Sequence, residues 1–219
     1  MSSDNIHSDD TELARQLIKS ALPHIPFDGW TMASMQMAAD SCGLNDADLD
    51  RLLPEGVQSG LEIYATLADD EMVHAFEALD PAPEKVHLKI RTLILLRLEQ
   101  ATPHKEVVRK SLAYLARPEK AKLAAELLYA TIDRMWRTAG DTATDASFYS
   151  KRATLSAVYS STLLAFLGDE TSEMEKTKAF LDRRLREVAN IPKVTAPLHK
   201  VMRGAEQMMR EVMGKRRAR

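Results

Sequence analysis

Residues 136–154 read W-R-T-A-G-D-T-A-T-D-A-S-F-Y-S-K-R-A-T and join two segments that have the apolar spacing of helices. Gly140 is predicted to end the first helix, because glycine readily takes the left-handed conformation that closes helices. Asp141 or Thr142 is expected to cap the second helix, and Thr142 with Asp145 has the spacing of a capping box. The sequence therefore predicts two helices separated by a built-in break.

The helix after the break, residues 145–167, carries a predicted buried stripe. Its members recur at alternating steps of four and three: Phe148, Arg152, Leu155, Tyr159, Thr162 and Phe166. Phe148 and Tyr149 are adjacent aromatics, so their side chains point about 100° apart around the helix. Because both cannot lie at the centre of one stripe, we predict that at least one of them is exposed.

Helical spacing continues on both sides of this stretch, and no segment of useful length alternates like a β-strand. The other predicted helices cover residues 11–22, 32–43, 46–53, 55–79, 84–100, 104–116, 119–138 and 172–189. The second half of segment 84–100 is apolar on nearly all sides, which predicts burial at the centre of a bundle. The sequence therefore predicts an all-α bundle of about ten helices.

The first three predicted helices resemble the helix-turn-helix of TetR-type repressors. A DNA-binding third helix lies beside phosphates and therefore needs basic residues. Residues 45–55 instead contain four acidic residues and one basic residue, Arg51. We expect a degenerate helix-turn-helix that binds no nucleic acid, and a ligand-responsive TetR-type transcriptional regulator is the alternative.

The net charge of −2 hides an uneven distribution along the chain. Residues 1–80 contain 16 acidic and 3 basic residues, whereas residues 81–219 contain 16 acidic and 27 basic residues. This segregation indicates that the two ends face different partners. Cys42 is the single cysteine, which excludes an intrachain disulfide, and no apolar run is long enough to span a membrane. The composition is typical of a bacterial cytoplasmic protein.

The C-terminal residues 198–215 have the pattern of a basic amphipathic helix, after a linker that contains Pro192 and Pro197. We predict that this helix binds an anionic membrane surface reversibly, which would attach the protein peripherally to the inner membrane. A final core helix is the alternative. The residues predicted to contact the membrane are Leu198, Val201, Met202, Met208, Met209, Val212 and Met213.

Two E-x-x-H patterns, Glu71–His74 and Glu84–His87, raise the question of a di-iron site in a helical bundle. Such a site also needs a glutamate from each of two further helices, and both patterns here lie close together around a Pro-x-Pro turn. Asp141 and Asp145 are explained more simply as helix caps than as a catalytic pair. We therefore predict no metal site and no catalytic residue.

A pattern around the break carries a family resemblance. It consists of Asp133, Met135, Trp136, Ala139, Gly140, Asp141, Thr144, Asp145, Phe148, Tyr149, Lys151 and Arg152. At these positions the chain resembles the TetR-fold accessory proteins of ubiquinone (coenzyme Q) biosynthesis, the ninth component of that pathway. The chain departs from the family at Ser147-Phe148, where the family usually has Asn-Trp. The resemblance extends weakly from about Pro26 to the C-terminus.

The resemblance implies a TetR-like fold and a non-catalytic protein without cofactors. Such a protein binds an isoprenoid lipid or phospholipid and presents isoprenoid quinone intermediates to a membrane-associated hydroxylase. It also implies a homodimer formed through residues 145–167 and 172–189. The expected partner-binding residues are Phe148, Tyr149, Arg152, Asp133 and Met135.

With this resemblance we expect three regions. Residues 1–54 would form the degenerate helix-turn-helix subdomain and residues 55–190 a lipid-binding and dimerisation bundle. Residues 191–219 would form the linker and the membrane-surface helix.

Overall fold

The computed structural model describes residues 3–141 and 146–189 of the 219-residue chain. Its helices are α1 Ser3–Ala21, α2 Ile25–Asp28, α3 Met32–Ser41, α4 Asp46–Leu52, α5 Val57–Glu77, α6 Val86–Ala101, α7 Lys105–Leu115, α8 Ala121–Thr138, α9 Ala146–Leu167 and α10 175–189. No residue in the described ranges belongs to a β-strand. The all-α prediction is confirmed.

The largest difference from the predicted boundaries lies at the N-terminus. Helix α1 begins at Ser3, so the predicted start of the first helix at residue 11 is wrong. The extra turns are polar and carry no apolar period, but acidic residues in them suit the positive end of a helix dipole. Asp10 also pairs with Arg51 of α4. The short helix α2, with Ile25 buried, was not predicted because four residues carry no measurable period.

Helices α1, α3 and α4 pack together through a core that includes Leu17, Ile18, Met35, Leu49 and Leu52. The same buried cluster contains Leu61 of α5 and Val107 of α7, so it continues into the following helices. Trp30 strengthens this junction, because its indole Nε1 donates a 2.8 Å hydrogen bond to Ser111 Oγ of α7. The proposed boundary between residues 54 and 55 stays a prediction.

Helix α6 lies at the centre of the larger core and packs against α5, α8 and α9. Its residues Ile90, Leu93, Ile94 and Leu98 are almost completely buried. The predicted central position of this helix is therefore confirmed. Among the described helices, none combines the length and the apolar character that crossing a bilayer requires.

Gly140 ends α8 as predicted, with a φ of +89°. The amide of Asp141 donates to the carbonyl of Trp136 at 2.9 Å, and the amide of Gly140 donates to the carbonyl of Arg137 at 2.9 Å. This pair of bonds forms a Schellman motif. The predicted capping box of Thr142 and Asp145 lies outside the described residues.

The predicted stripe on α9 is confirmed. Its members Arg152, Leu155, Tyr159, Thr162 and Phe166 are all less than a tenth exposed. Phe148, at the start of the stripe, is half-buried. The neighbouring Tyr149 is 73% exposed, as expected for one member of the aromatic pair.

Asp169 organises the turn between α9 and α10. Its Oδ1 accepts hydrogen bonds from the amide and the hydroxyl of Thr171, at 3.0 and 2.5 Å. Its Oδ2 accepts from the amide and the hydroxyl of Thr177, at 2.8 and 2.7 Å. Thr177 lies in the first turn of α10, so this buried carboxylate satisfies one of the amides at the start of that helix.

Candidate functional site

A buried ion-pair network joins the end of α8 to the start of α9. Arg152 Nη2 lies 2.6 Å from Asp133 Oδ1, and Arg152 Nη1 lies 3.4 Å from Asp141 Oδ2. Lys151 Nζ lies 2.7 Å from the other oxygen of Asp141. The side chain of Arg152 is only 5% exposed. The network therefore fixes the position of α9 relative to the Gly140 turn.

The aromatic pair sits directly above this network. The guanidinium of Arg152 lies 3.4 Å from the centroid of the Phe148 ring, a cation–π contact. The rings of Phe148 and Tyr149 meet edge to face, with centroids 5.2 Å apart. Phe148 therefore packs against the guanidinium of Arg152, while Tyr149 is exposed to solvent.

The structure brings four of the five predicted partner-binding residues into one cluster, but gives them different environments. Tyr149 is exposed, Phe148 is half-buried, and Arg152 and Asp133 pair beneath the aromatic rings. Met135 is fully buried and belongs to the main core. Their role in partner binding stays a prediction. The geometry suits Tyr149 for direct contact, whereas Arg152 and Asp133 are placed to position the aromatic pair.

A cavity of about 410 Å³, here called the central cavity, lies among α5, α6, α7, α8 and α9. Most of its lining side chains are leucine, alanine or valine. Ala116 and Leu164 line it and are exposed, so the cavity opens to solvent near the end of α7 and the face of α9. The sequence does not reveal this cavity, because most of its lining residues have the spacing of ordinary core positions.

A buried polar group borders the central cavity. Arg97 Nε of α6 donates to Asp69 Oδ1 of α5 at 2.9 Å, and the Thr131 hydroxyl of α8 donates to Asp69 Oδ2 at 2.8 Å. Burial raises the pKa of Asp69, and the charge of Arg97 and the hydroxyl of Thr131 act against that rise. Burial also raises the pKa of Tyr159, so its hydroxyl is protonated at neutral pH.

A second opening, here called the lateral cavity, has a volume of about 1040 Å³ and lies between α6, α8, α9 and α10. Its walls include Leu155, Val158 and Leu185, with the Arg91–Asp182 ion pair at 2.5 Å. Trp136 also lines it, and its buried indole Nε1 meets no acceptor in the described part of the chain. Lys151 of the ion-pair network lines the lateral cavity as well, so the cavity lies next to the network.

The surface of α4 is acidic, as expected. Arg51 is its single basic residue, and it pairs with Asp10 of α1 and with Asp48 at 3.0 Å. The one cation that this helix offers is thus already engaged by two carboxylates. This arrangement is unfavourable for contact with a phosphate backbone.

The two E-x-x-H patterns do not converge on a metal site. Glu71 and His74 lie on the exposed face of α5, while Glu84 and His87 are exposed at the start of α6. Within residues 3–141 and 146–189, no group of three or more His, Cys, Asp or Glu side chains is placed to hold a metal ion.

Comparison with known proteins supports the family resemblance. Residues 121–192 match the family model described as COQ9. The chain is 27% identical over 192 residues to the rat mitochondrial ubiquinone biosynthesis protein COQ9, covering 84% of this chain and 61% of the rat protein. The human protein of the same name is also 27% identical, with 84% and 60% covered. The chain therefore spans about three fifths of the length of these relatives.

A similarity to a solved structure supports the fold. The crystal structure of a TetR transcriptional regulator from Nitrosomonas europaea superposes with a TM-score of 0.62 at 17% sequence identity. The match covers 81% of this chain and 98% of the regulator. At this identity the similarity shows the fold alone, and the predicted TetR-like fold is confirmed.

Proposed function

Because the chain is related to the COQ9 proteins of ubiquinone biosynthesis, we propose that it is an accessory protein of that pathway. In this proposal it binds an isoprenoid intermediate, leaves it chemically unchanged and presents it to a membrane-associated hydroxylase. The observation that carries the proposal is the central cavity, an apolar space inside the bundle with an opening at Ala116 and Leu164. Its volume lies in the range of small-molecule sites, about 300 to 1,000 Å³.

The placement of polar and apolar side chains around the central cavity supports a ligand with a polar head inside and an apolar tail outside. The polar side chains Tyr64, Arg97 and Tyr159 are all largely buried. The exposed Leu164 instead marks the apolar opening. A long isoprenoid tail would therefore leave through the opening, where apolar residues continue to the protein surface.

The proposal is tested by extracting lipids from the purified protein and identifying them by mass spectrometry. We expect a prenylated ring compound in the wild-type protein. Ala124→Phe places a ring in the cavity wall and should reduce the bound lipid about tenfold. The matched control is Ala125→Phe, because Ala125 is the exposed neighbour that does not line the cavity. A wild-type protein that carries no prenylated compound would contradict the proposal.

Presentation of the ligand requires a partner surface, and the cluster around Tyr149 supports one. Tyr149 is a large exposed aromatic on a rigid base, since Phe148 and Arg152 hold the start of α9. Tyrosine and arginine are enriched among residues that dominate binding energy at interfaces. We propose that Tyr149 contacts the hydroxylase directly and that the Arg152–Asp133 pair positions it.

Membrane attachment through residues 198–215 is part of the proposal, although these residues lie outside the described ranges. Its support is the basic and apolar pattern of the sequence. Deleting everything after Pro197 should abolish cosedimentation with anionic vesicles and leave a folded protein. Met209→Glu should weaken cosedimentation, because a charge on the apolar face resists immersion. If the truncated protein sediments with vesicles as the full chain does, another surface binds the membrane.

A ligand-responsive transcriptional regulator is the second candidate, because the fold is that of TetR regulators. The engaged Arg51 and the acidic α4 favour the accessory role instead. A salt-sensitive, sequence-selective shift of DNA from the protein's own promoter region would favour the regulator. Dimerisation through α9 and α10 is proposed in both cases, and light scattering tests it.

A further inference from the structure

Arg97 is a buried cation with unused donors. It is 9% exposed, and its Nε bonds to Asp69 at 2.9 Å. Its two terminal nitrogens meet no acceptor among the described residues. Buried guanidinium groups normally satisfy most of their five donors. Arg97 is one of the residues that line the central cavity, so a ligand bound there would lie against its side chain.

Tyr159 adds a second polar group to the same cavity. It is 6% exposed, and its hydroxyl has no hydrogen-bond partner in the described residues. Tyr159 and Tyr64 lie close enough to Arg97 to affect its pKa, and all three residues line the cavity. Ser111 also lines it, but its hydroxyl already donates to Val107 and accepts from Trp30. The unpartnered donors are therefore gathered around Arg97.

The net charge of the buried Arg97–Asp69 pair determines which kind of ligand head group can bind beside it. Asp69 balances the charge of Arg97, so the pair is neutral as a unit. A carboxylate head would leave one net negative charge inside an apolar cavity, which is strongly unfavourable. A neutral oxygen can accept hydrogen bonds from Arg97 and Tyr159 without that cost.

We infer that the central cavity selects an amphiphile whose head is an uncharged ring with oxygen acceptors, over one whose head is a carboxylate. This inference rests on the lipid-binding function proposed above and specifies the head group. Arg97 and Tyr159 are the residues that recognise the ring oxygen.

The experiment measures the binding of three probes of matched chain length to the full-length protein by calorimetry at pH 7.5. The probes are a decyl-substituted benzoquinone, 4-decyloxybenzoate and the methyl ester of that benzoate. We expect the quinone and the ester to bind at least about tenfold more tightly than the benzoate, since only the benzoate is charged. The ester controls for ring and tail, because it keeps both and replaces the carboxylate with an uncharged group that is larger by one methyl.

Tyr159→Phe removes the hydroxyl alone and should weaken quinone binding about 3- to 10-fold. Tyr129→Phe is the matched control, because Tyr129 is half exposed and does not line the cavity. Thermal melting shows whether both variants are folded.

The outcomes separate the two proposals. If the benzoate binds as tightly as its ester, or if Tyr159→Phe binds the quinone as the wild type does, the head-group inference is wrong and lipid binding stands. If neither the quinone nor the ester binds, the proposed lipid-binding function itself fails.

Discussion

Arg152→Met is expected to lower the free energy of unfolding by about 3 kcal/mol, as breaking a buried ion pair from one side does. The substitution leaves Asp133 and Asp141 without the cation that lies between them. Arg137 and Lys151 still reach one carboxylate each, which keeps the loss near the lower end of the range for such changes. Urea unfolding followed by circular dichroism measures the difference.

Tyr149→Ala is the matched variant from the same turn of α9. Because Tyr149 is 73% exposed, its loss should change the free energy of unfolding by no more than about 0.5 kcal/mol. It should nevertheless weaken the proposed hydroxylase complex in a pull-down with purified partner. A large loss of stability in Tyr149→Ala would contradict its role as an exposed contact residue. Wild-type stability in Arg152→Met would contradict the role of Arg152 as a buried structural cation.

These two residues show how far the sequence predicts the site. The steps of four and three placed Arg152 on the buried stripe of α9, and the resemblance made it a partner-binding residue. The periodicity could not reveal that Asp133 and Asp141 meet its guanidinium, because that contact depends on how α8 turns at Gly140. A turn brings residues 19 positions apart into an ion pair, and no local pattern encodes the distance.

The helices were predictable because each buries one face, and that face leaves a period in the sequence. The central cavity was not predictable from the sequence. It is a space between five helices, and most of its lining residues have the spacing of core residues. Arg97 was the available signal, since it is a cation within the apolar half of α6. Only the fold shows that Arg97 pairs with Asp69, that the Thr131 hydroxyl donates to the same carboxylate and that Tyr159 lines the same cavity.

Asp169→Ala is expected to lower the free energy of unfolding by about 3 kcal/mol, because one carboxylate accepts four hydrogen bonds in a buried turn. The variant leaves the amide and hydroxyl of Thr177 without their acceptor at the start of α10. Loss of a helix cap alone accounts for about 1 kcal/mol of this. Glu170→Ala is the control, since Glu170 is the exposed neighbour and its removal should change little.

The contribution of Asp169 should also depend on pH. Burial raises the pKa of this carboxyl, but the donors of Thr171 and Thr177 outweigh burial and hold the pKa well below its ordinary value. A carboxyl with a lower pKa in the folded than in the unfolded state stabilises the fold above the unfolded pKa, about 3.9. That stability is lost as the pH falls below about 4 towards the folded pKa. Urea unfolding of the wild type and Asp169→Ala between pH 7 and pH 3 should therefore show the two stabilities converging at acid pH. A difference that stays constant, or grows as the pH falls, would mean that Asp169 acts through packing and not as a charged acceptor.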